Sequence, residues 1–218
     1  MDSVRCARPV IEVEGADEPI ERSYAMALRP LIAGSTGFFG SVAVCLAISH
    51  SATTEHDGIS YFSVRSTTLP VILLGYACVI IGMLTAVRRL PDNQLGNRLS
   101  LAMRCMPVLF VALLVTPFNK GTLLNWTHMT IGVSLALAQG VVTVWLCSIL
   151  PTARVLASAA LELAGGGVSA LSLPDSSFNY LLQGELLFNL GFCLCLIAVV
   201  HAAATAPPPS DVVAWDEW

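Results

Sequence analysis

The polar side chains best suited to chemistry in this sequence lie inside apolar runs. His128 and Gln139 both fall in the run Trp126 to Leu150, eleven residues apart. At about 100° per residue, those eleven steps return Gln139 to nearly the same helical face as His128, with Leu135 between them. Polar groups are kept inside a membrane when they pair with one another or line a cavity. The run therefore predicts a polar stripe on one membrane helix.

Glu162 is the most costly polar residue, because it lies within another apolar run, Val155 to Leu173. A carboxylate near the bilayer centre costs roughly 2 to 3 kcal/mol. Two interpretations stay open. Glu162 either binds a proton as part of a transport path, or is structural and pairs with Gln139, with a serine of another helix or with a partner subunit. We predict Gln139 and Glu162 as intramembrane polar residues, with Glu162 as a candidate partner of Gln139.

Five candidate binding residues are predicted to converge at one membrane face. They are Asp57 and Tyr61 in a polar connection, His128 at the opening of the fourth apolar run, and Glu185 and Asn189 near the start of the sixth. A polar pocket open to the headgroup region would bind a ligand or lipid headgroup. The alternative is that His128 and Glu185 lie among the headgroups and bond to loops and water.

Metal binding and enzymatic chemistry have little support in the sequence. His50, Glu55, His56 and Asp57 are metal-ligand types, but without a pair of histidines four residues apart they are more typical of a solvated acidic loop. No Gly-x-Ser-x-Gly or His-Glu-x-x-His pattern is present, and the glycines 165–167 lack the residues of a phosphate loop. We expect no metal, no cofactor and no catalytic residue.

The composition indicates a membrane protein. Of the 218 residues, 55% are hydrophobic and only 12% are charged, and the mean hydropathy is +0.72. Such a chain cannot hide its apolar surface in one soluble core. The net charge is −4 and the basic residues form no single face, so nucleic acid is not an expected partner. The seven cysteines contain no Cys-x-x-Cys pair and are interpreted as small core residues.

These residues must be positioned by six membrane-spanning helices, so the predicted fold class is an all-α, polytopic membrane helix bundle. The transmembrane domain is predicted over 30–206, between polar tails at 1–29 and 207–218, with a short helix from Ile20 to Ala27 lying on the membrane. Helix five is the least secure, because three glycines weaken it by roughly 1 kcal/mol each. The six predicted helices cover Leu31–Ser49, Pro70–Val87, Leu101–Phe118, Trp126–Leu150, Val155–Leu173 and Gly184–Thr205.

The distribution of basic residues predicts the orientation. With six spans, one side of the membrane receives all the arginines except Arg65, whereas the other side receives only Arg65 and Lys120. Cytoplasmic loops are enriched in arginine and lysine. We therefore predict a multi-pass protein of the cell inner (plasma) membrane with both termini in the cytoplasm.

The arrangement resembles that of the six-helix bacterial membrane proteins related to the DRAM-type family. The resemblance rests on the sequence from Asp57 to Tyr61 (Asp-Gly-Ile-Ser-Tyr) before helix two, and on that from Asn125 to His128 (Asn-Trp-Thr-His) at the opening of helix four. It implies six helices, cytoplasmic termini, and a role in membrane-lipid organisation or signalling. Gly165 to Gly167 and Glu162 do not match that pattern.

Three functions are compatible with the sequence. The first is a non-enzymatic membrane protein that works as a lipid-associated scaffold or accessory subunit, whose partners are membrane lipid and either another membrane protein or further copies of itself. The second is a small proton-coupled transporter or carrier in which Glu162 and Gln139 line a path. A third is a membrane enzyme that acts on lipid through His128 and acidic loop residues.

Overall fold

The computed structural model describes residues 20–118, 121–172 and 178–205. Within these ranges every regular element is an α-helix. Six helices are long and apolar enough to cross a membrane, so the predicted all-α bundle is confirmed. The helices are α1 (Ile20–Ile48), α2 (Ala52–Asp57), α3 (Ser60–Val64), α4 (Leu69–Val87), α5 (Gln94–Val115), α6 (Thr122–Ile149), α7 (Ala153–Leu171) and α8 (Leu181–Thr205).

All six long helices begin earlier than the hydropathy pattern predicts, and α1, α5 and α6 do so by four residues or more. The predicted surface helix from Ile20 to Ala27 is instead the first two turns of α1, which continues through Pro30. α5 begins at Gln94, because the side chain of Asn93 caps it by accepting a hydrogen bond from the Gly96 amide at 2.7 Å. α6 likewise begins at Thr122. Residues 1–19 of the predicted N-terminal tail and the whole predicted C-terminal tail, 207–218, lie outside the described residues.

The long helices run alternately up and down and form a ring in the order α1, α4, α5, α6, α7, α8. The α2–α3 end of the bundle carries α2 and α3 together with the openings of α4, α6 and α8. The opposite end, here called the arginine end, carries the connections 88–93 and 150–152. There, the Tyr24 hydroxyl donates to Asn93 Oδ1 at 2.9 Å. Apolar residues such as Leu137 and Val141 on α6 point outward, as a lipid-facing surface requires.

Close backbone contacts explain why α7 is helical despite its three glycines. A Cβ atom at Gly165 would lie 2.7 Å from the Gly184 carbonyl oxygen of α8, and one at Gly191 would meet the Glu162 backbone. These glycines let α7 and α8 approach closely enough for backbone atoms to pack. Gly34 and Gly82 make the same kind of contact between α1 and α4. The packing compensates for the poor helix propensity of glycine.

A matched pair of substitutions in α7 tests this packing. Gly165→Ala should destabilise the protein by about 1 to 3 kcal/mol, because its methyl group overpacks the α7–α8 contact. A Cβ atom at Gly167 would meet no atom of the described residues within 4 Å. Gly167→Ala should therefore leave stability unchanged or raise it by up to about 1 kcal/mol. Thermal unfolding of the purified variants in one detergent measures both effects. Equal shifts would contradict the close packing of the two helices.

Candidate functional site

His128 joins three elements at the α2–α3 end. Its Nδ1 lies 2.5 Å from the Thr116 carbonyl oxygen that follows α5, and its Nε2 lies 2.8 Å from the Ser60 hydroxyl at the start of α3. A carbonyl oxygen only accepts, so Nδ1 carries a hydrogen and, in the neutral ring, Nε2 accepts from Ser60. The His128 side chain is buried, and the Phe118 ring lies against it. Both ring nitrogens are therefore occupied by the protein itself.

Glu185 binds the residue next to Ser60. Its Oε2 accepts a hydrogen bond from the Ile59 backbone N–H at 2.6 Å. The preceding Gly58 has φ of +68°, a conformation that favours glycine, and a Cβ atom there would collide with the Glu185 carboxylate. The Glu185 carboxylate can therefore reach the Ile59 N–H only because residue 58 is glycine.

His128 and Glu185 together hold one short segment of chain. We call the bonds from Ile59 to Glu185 and from Ser60 to His128 the Ile59–Ser60 clamp. The two predicted site residues converge at the same end of the bundle as expected, but on a protein segment, with no bond between them. Their role in binding a ligand or headgroup stays a prediction. The clamp fixes α2 and α3 on α6 and α8.

Asp57 and Tyr61 flank the clamp. Asp57 Oδ1 lies 3.0 Å from His56 Nδ1, and both side chains are partly exposed. Tyr61 is buried, with the Arg65 guanidinium 4.4 Å from its ring centroid. Hydrogen bonding to Ser51 lowers the pKa of the Tyr61 phenol, with Arg65 acting in the same direction against the effect of burial. Tyr61 is thus an anchor of α3, whereas Asp57 faces the surroundings.

The acidic loop is divided into separate pairs. His50 Nε2 lies 3.5 Å from Glu55 Oε1, and His56 pairs with Asp57. Among the described residues, no three histidine, cysteine, aspartate or glutamate side chains are grouped as metal ligands.

A line of polar contacts extends from the clamp into the bundle. The Asn189 amide donates to the Glu185 carbonyl oxygen at 2.8 Å, and Gln139 Nε2 lies 3.4 Å from Asn189 Oδ1. One turn further along α6, the Thr143 hydroxyl donates to Glu162 Oε2 at 2.5 Å. From His128 to Thr143 the line covers about 22 Å of α6 at 1.5 Å per residue. The polar line therefore continues the predicted stripe, His128 to Gln139, by one further turn to Thr143.

The predicted pairing of Gln139 with Glu162 is wrong. Gln139 bonds to Asn189, and the hydrogen-bond partner of Glu162 is Thr143. Helical side chains lean toward the N-terminus of their own helix. Because α6 and α7 run in opposite directions, Gln139 leans toward the α2–α3 end and Glu162 toward the arginine end, so the two side chains diverge.

Glu162 keeps one oxygen without a partner. Its side chain is 2% exposed, and its Oε1 has no hydrogen-bond partner among the described residues. An unsatisfied polar atom in a low-dielectric interior is costly. A proton or another donor at this oxygen would be stabilised.

The sequence assigned no role to Ser60, Thr116 or Thr143. Thr143 lies four residues after Gln139, so continuing the stripe by one turn would have found it. No local signal marks Ser60 or Thr116, because each acquires its role through a contact distant in the chain.

Comparisons with known proteins found no matching family model, no matching curated protein and no matching solved structure. The chemical interpretation therefore rests on the contacts described above: a clamp that orders the α2–α3 end, and a buried line that ends at a carboxylic acid group.

Removing the Thr143 hydroxyl tests the inner end of the line. Thr143→Val keeps the side-chain shape but leaves Glu162 without its hydroxyl donor, which should cost about 1 to 3 kcal/mol of stability. Thr130→Val is the matched control, because the exposed Thr130 hydroxyl bonds only to the Trp126 carbonyl oxygen of its own helix. Thermal unfolding in detergent compares the two. A Thr143→Val protein as stable as the control would show that the bond to Glu162 is not structurally important.

Proposed function

We propose that this chain is a non-enzymatic, lipid-associated scaffold or accessory subunit of the cell inner (plasma) membrane, with both termini in the cytoplasm. The observation that carries the proposal is the Ile59–Ser60 clamp. It uses the two best candidate chemical groups of the α2–α3 end, His128 and Glu185, to hold the protein's own chain. Because His128 and Glu185 bind the protein's own chain, they hold the surface of the α2–α3 end in position. That surface can then bind a partner.

The surface that the clamp positions is polar and exposed. His50 and His56 on this surface have side chains 59% and 48% exposed, and the acidic Glu55 and Asp57 lie beside them. A surface held in one conformation binds with a smaller loss of conformational entropy than a mobile loop does. Lipid headgroups or the loop of a membrane partner are the expected ligands, because both lie at the membrane–water interface, where we expect the α2–α3 end of the bundle.

Substitutions at Glu185 test the scaffold. The full-length protein is purified with retained lipid, and co-purifying lipids and proteins are identified by mass spectrometry. Wild type should retain a specific companion, and Glu185→Leu, which removes the acceptor for Ile59, should lose it at least severalfold. Glu185→Gln is the matched control, because its amide oxygen can still accept that bond. Hydrogen exchange over residues 52–64 should rise in the leucine variant alone.

Three results would contradict the scaffold proposal. One is a wild-type protein without any specific companion, and another is equal retention by the leucine and glutamine variants. The third is labelling of wild type by a fluorophosphonate probe that is lost in Ser60→Ala, which would indicate an enzyme. This result is worth testing because a hydrogen bond such as that from Ser60 to His128 can activate a serine nucleophile.

A second candidate function, a proton-coupled carrier, is favoured by the unpartnered Oε1 of Glu162. Gln139 and Thr143 on α6 place polar groups between the α2–α3 end and this oxygen, which has no partner in the described part of the chain. Intramembrane carboxylic acids in such positions serve as proton sites in transporters.

Glu162→Gln tests the carrier. The substitution keeps an oxygen that can accept from Thr143 but removes the titrating group, so proton flux driven by a pH gradient in liposomes should fall to the level of protein-free vesicles. Gln139→Leu, which interrupts the line without removing an acid, should reduce the flux as well. Wild-type flux in the glutamine variant would exclude a carrier that works through Glu162.

A further inference from the structure

A lipid-facing groove at the arginine end combines a cation with an apolar channel. Two adjoining depressions share Arg154, Ala198 and His201, and lie where α7 and α8 meet. The larger one extends to α1 through Leu28 and Ile32. Its volume of about 550 Å³ is within the range of small-molecule sites in proteins.

The arginine and the histidine of the groove lie at one of its ends. Arg154 is in the first turn of α7, and His201 is near the end of α8, so both belong to the arginine end. Arg154 is exposed, and no carboxylate of the described chain lies within ion-pair distance of it. An arginine guanidinium matches the geometry of a phosphate and can donate two hydrogen bonds to it. The His201 ring has an N–H that can donate as well.

The other end of the groove is apolar and runs toward the bilayer centre. It is lined by Leu194, Ile197 and Ile32. From His201 to Leu194 there are seven residues of α8, or about 10 Å along the membrane normal at 1.5 Å per residue. A free phosphate would use only the cationic end. A molecule with a phosphate head and an acyl chain would fill both parts.

We propose that this groove binds an anionic phospholipid, with the phosphate at Arg154 and His201 and one acyl chain along Leu194, Ile197 and Ile32. The bias of arginines to this end of the bundle favours anionic lipid over zwitterionic lipid, because each arginine near the surface adds attraction for negative headgroups. The site is separate from the Ile59–Ser60 clamp at the opposite end. The lipid site requires that the protein lies in a membrane, but it does not require the scaffold function. The lipid site and the scaffold function can therefore fail independently.

Native mass spectrometry of the full-length protein tests the site. The protein is equilibrated in mixed micelles that contain equal amounts of phosphatidylcholine and phosphatidylglycerol, and the retained lipids are counted. Wild type should retain phosphatidylglycerol preferentially. Arg154→Gln should reduce that preference by about fivefold, the attraction expected for one arginine.

Two further variants keep the test specific. Arg104→Gln removes the same charge from an exposed position on α5, across the ring from the groove, and should retain the wild-type preference. Ala157→Phe adds a ring at an exposed position that lines the apolar part, so it should lower retention of both lipids without changing any charge. The thermal stability of all three variants should match wild type, because every substituted side chain is exposed.

Three outcomes would overturn the proposal. The first is a wild-type protein that retains both lipids in the proportion supplied. The second is a loss of preference in Arg104→Gln as large as that in Arg154→Gln, which would indicate attraction by overall charge without a site. The third is a wild-type dimer that Ala157→Phe dissociates, which would make a second copy of the chain the occupant of the groove.

Discussion

The absence of water from the bilayer core is the constraint on which the rest of this structure depends. A polar side chain there must find its partner within the protein. Many hydroxyls satisfy this requirement locally, as when Ser41 and Ser158 donate to the carbonyl oxygen four residues earlier in their own helix. Gln139 and Glu162 are too long and too polar for that solution. They instead bond across helices, to Asn189 and Thr143, and so tie α6 to both α7 and α8.

The glycine contacts between α7 and α8 serve the same constraint. A Cβ atom at Gly191 would collide with the backbone of Glu162, which means that α8 packs closely on α7 at Glu162. From this contact the side chain of Glu162 extends to the Thr143 hydroxyl on α6. Because Thr143 is short, its hydroxyl can reach Glu162 only if the three helices are packed tightly. The glycines 165–167 have poor helix propensity, but they belong to α7, and the close packing of α7 on α8 positions Glu162.

Hydropathy alone predicted the six spans, because apolar length is a property of each segment by itself. The side-chain pairs were less predictable, since they depend on how neighbouring helices are placed. The polar stripe from His128 to Gln139 is visible in the sequence, yet the expected bond between Gln139 and Glu162 is absent because antiparallel helices make those two side chains lean apart. The early start of α5 was missed because 94–100 is polar, and its helix depends on the cap that Asn93 provides. Gly58 gave no sign of its role until Glu185 was placed opposite it.

The two ends of the polar line differ in how completely they are satisfied, and this difference bears on function. At the clamp, both nitrogens of His128 and one oxygen of Glu185 have protein partners. At the inner end, Glu162 accepts one bond and its second oxygen has none in the described chain. A glutamine would accept the same bond from Thr143 without the risk of a buried charge, so the architecture alone gives no reason for an acid at this position. The clamp is therefore a structural contact, whereas the second oxygen of Glu162 has no contact in the described chain that accounts for it.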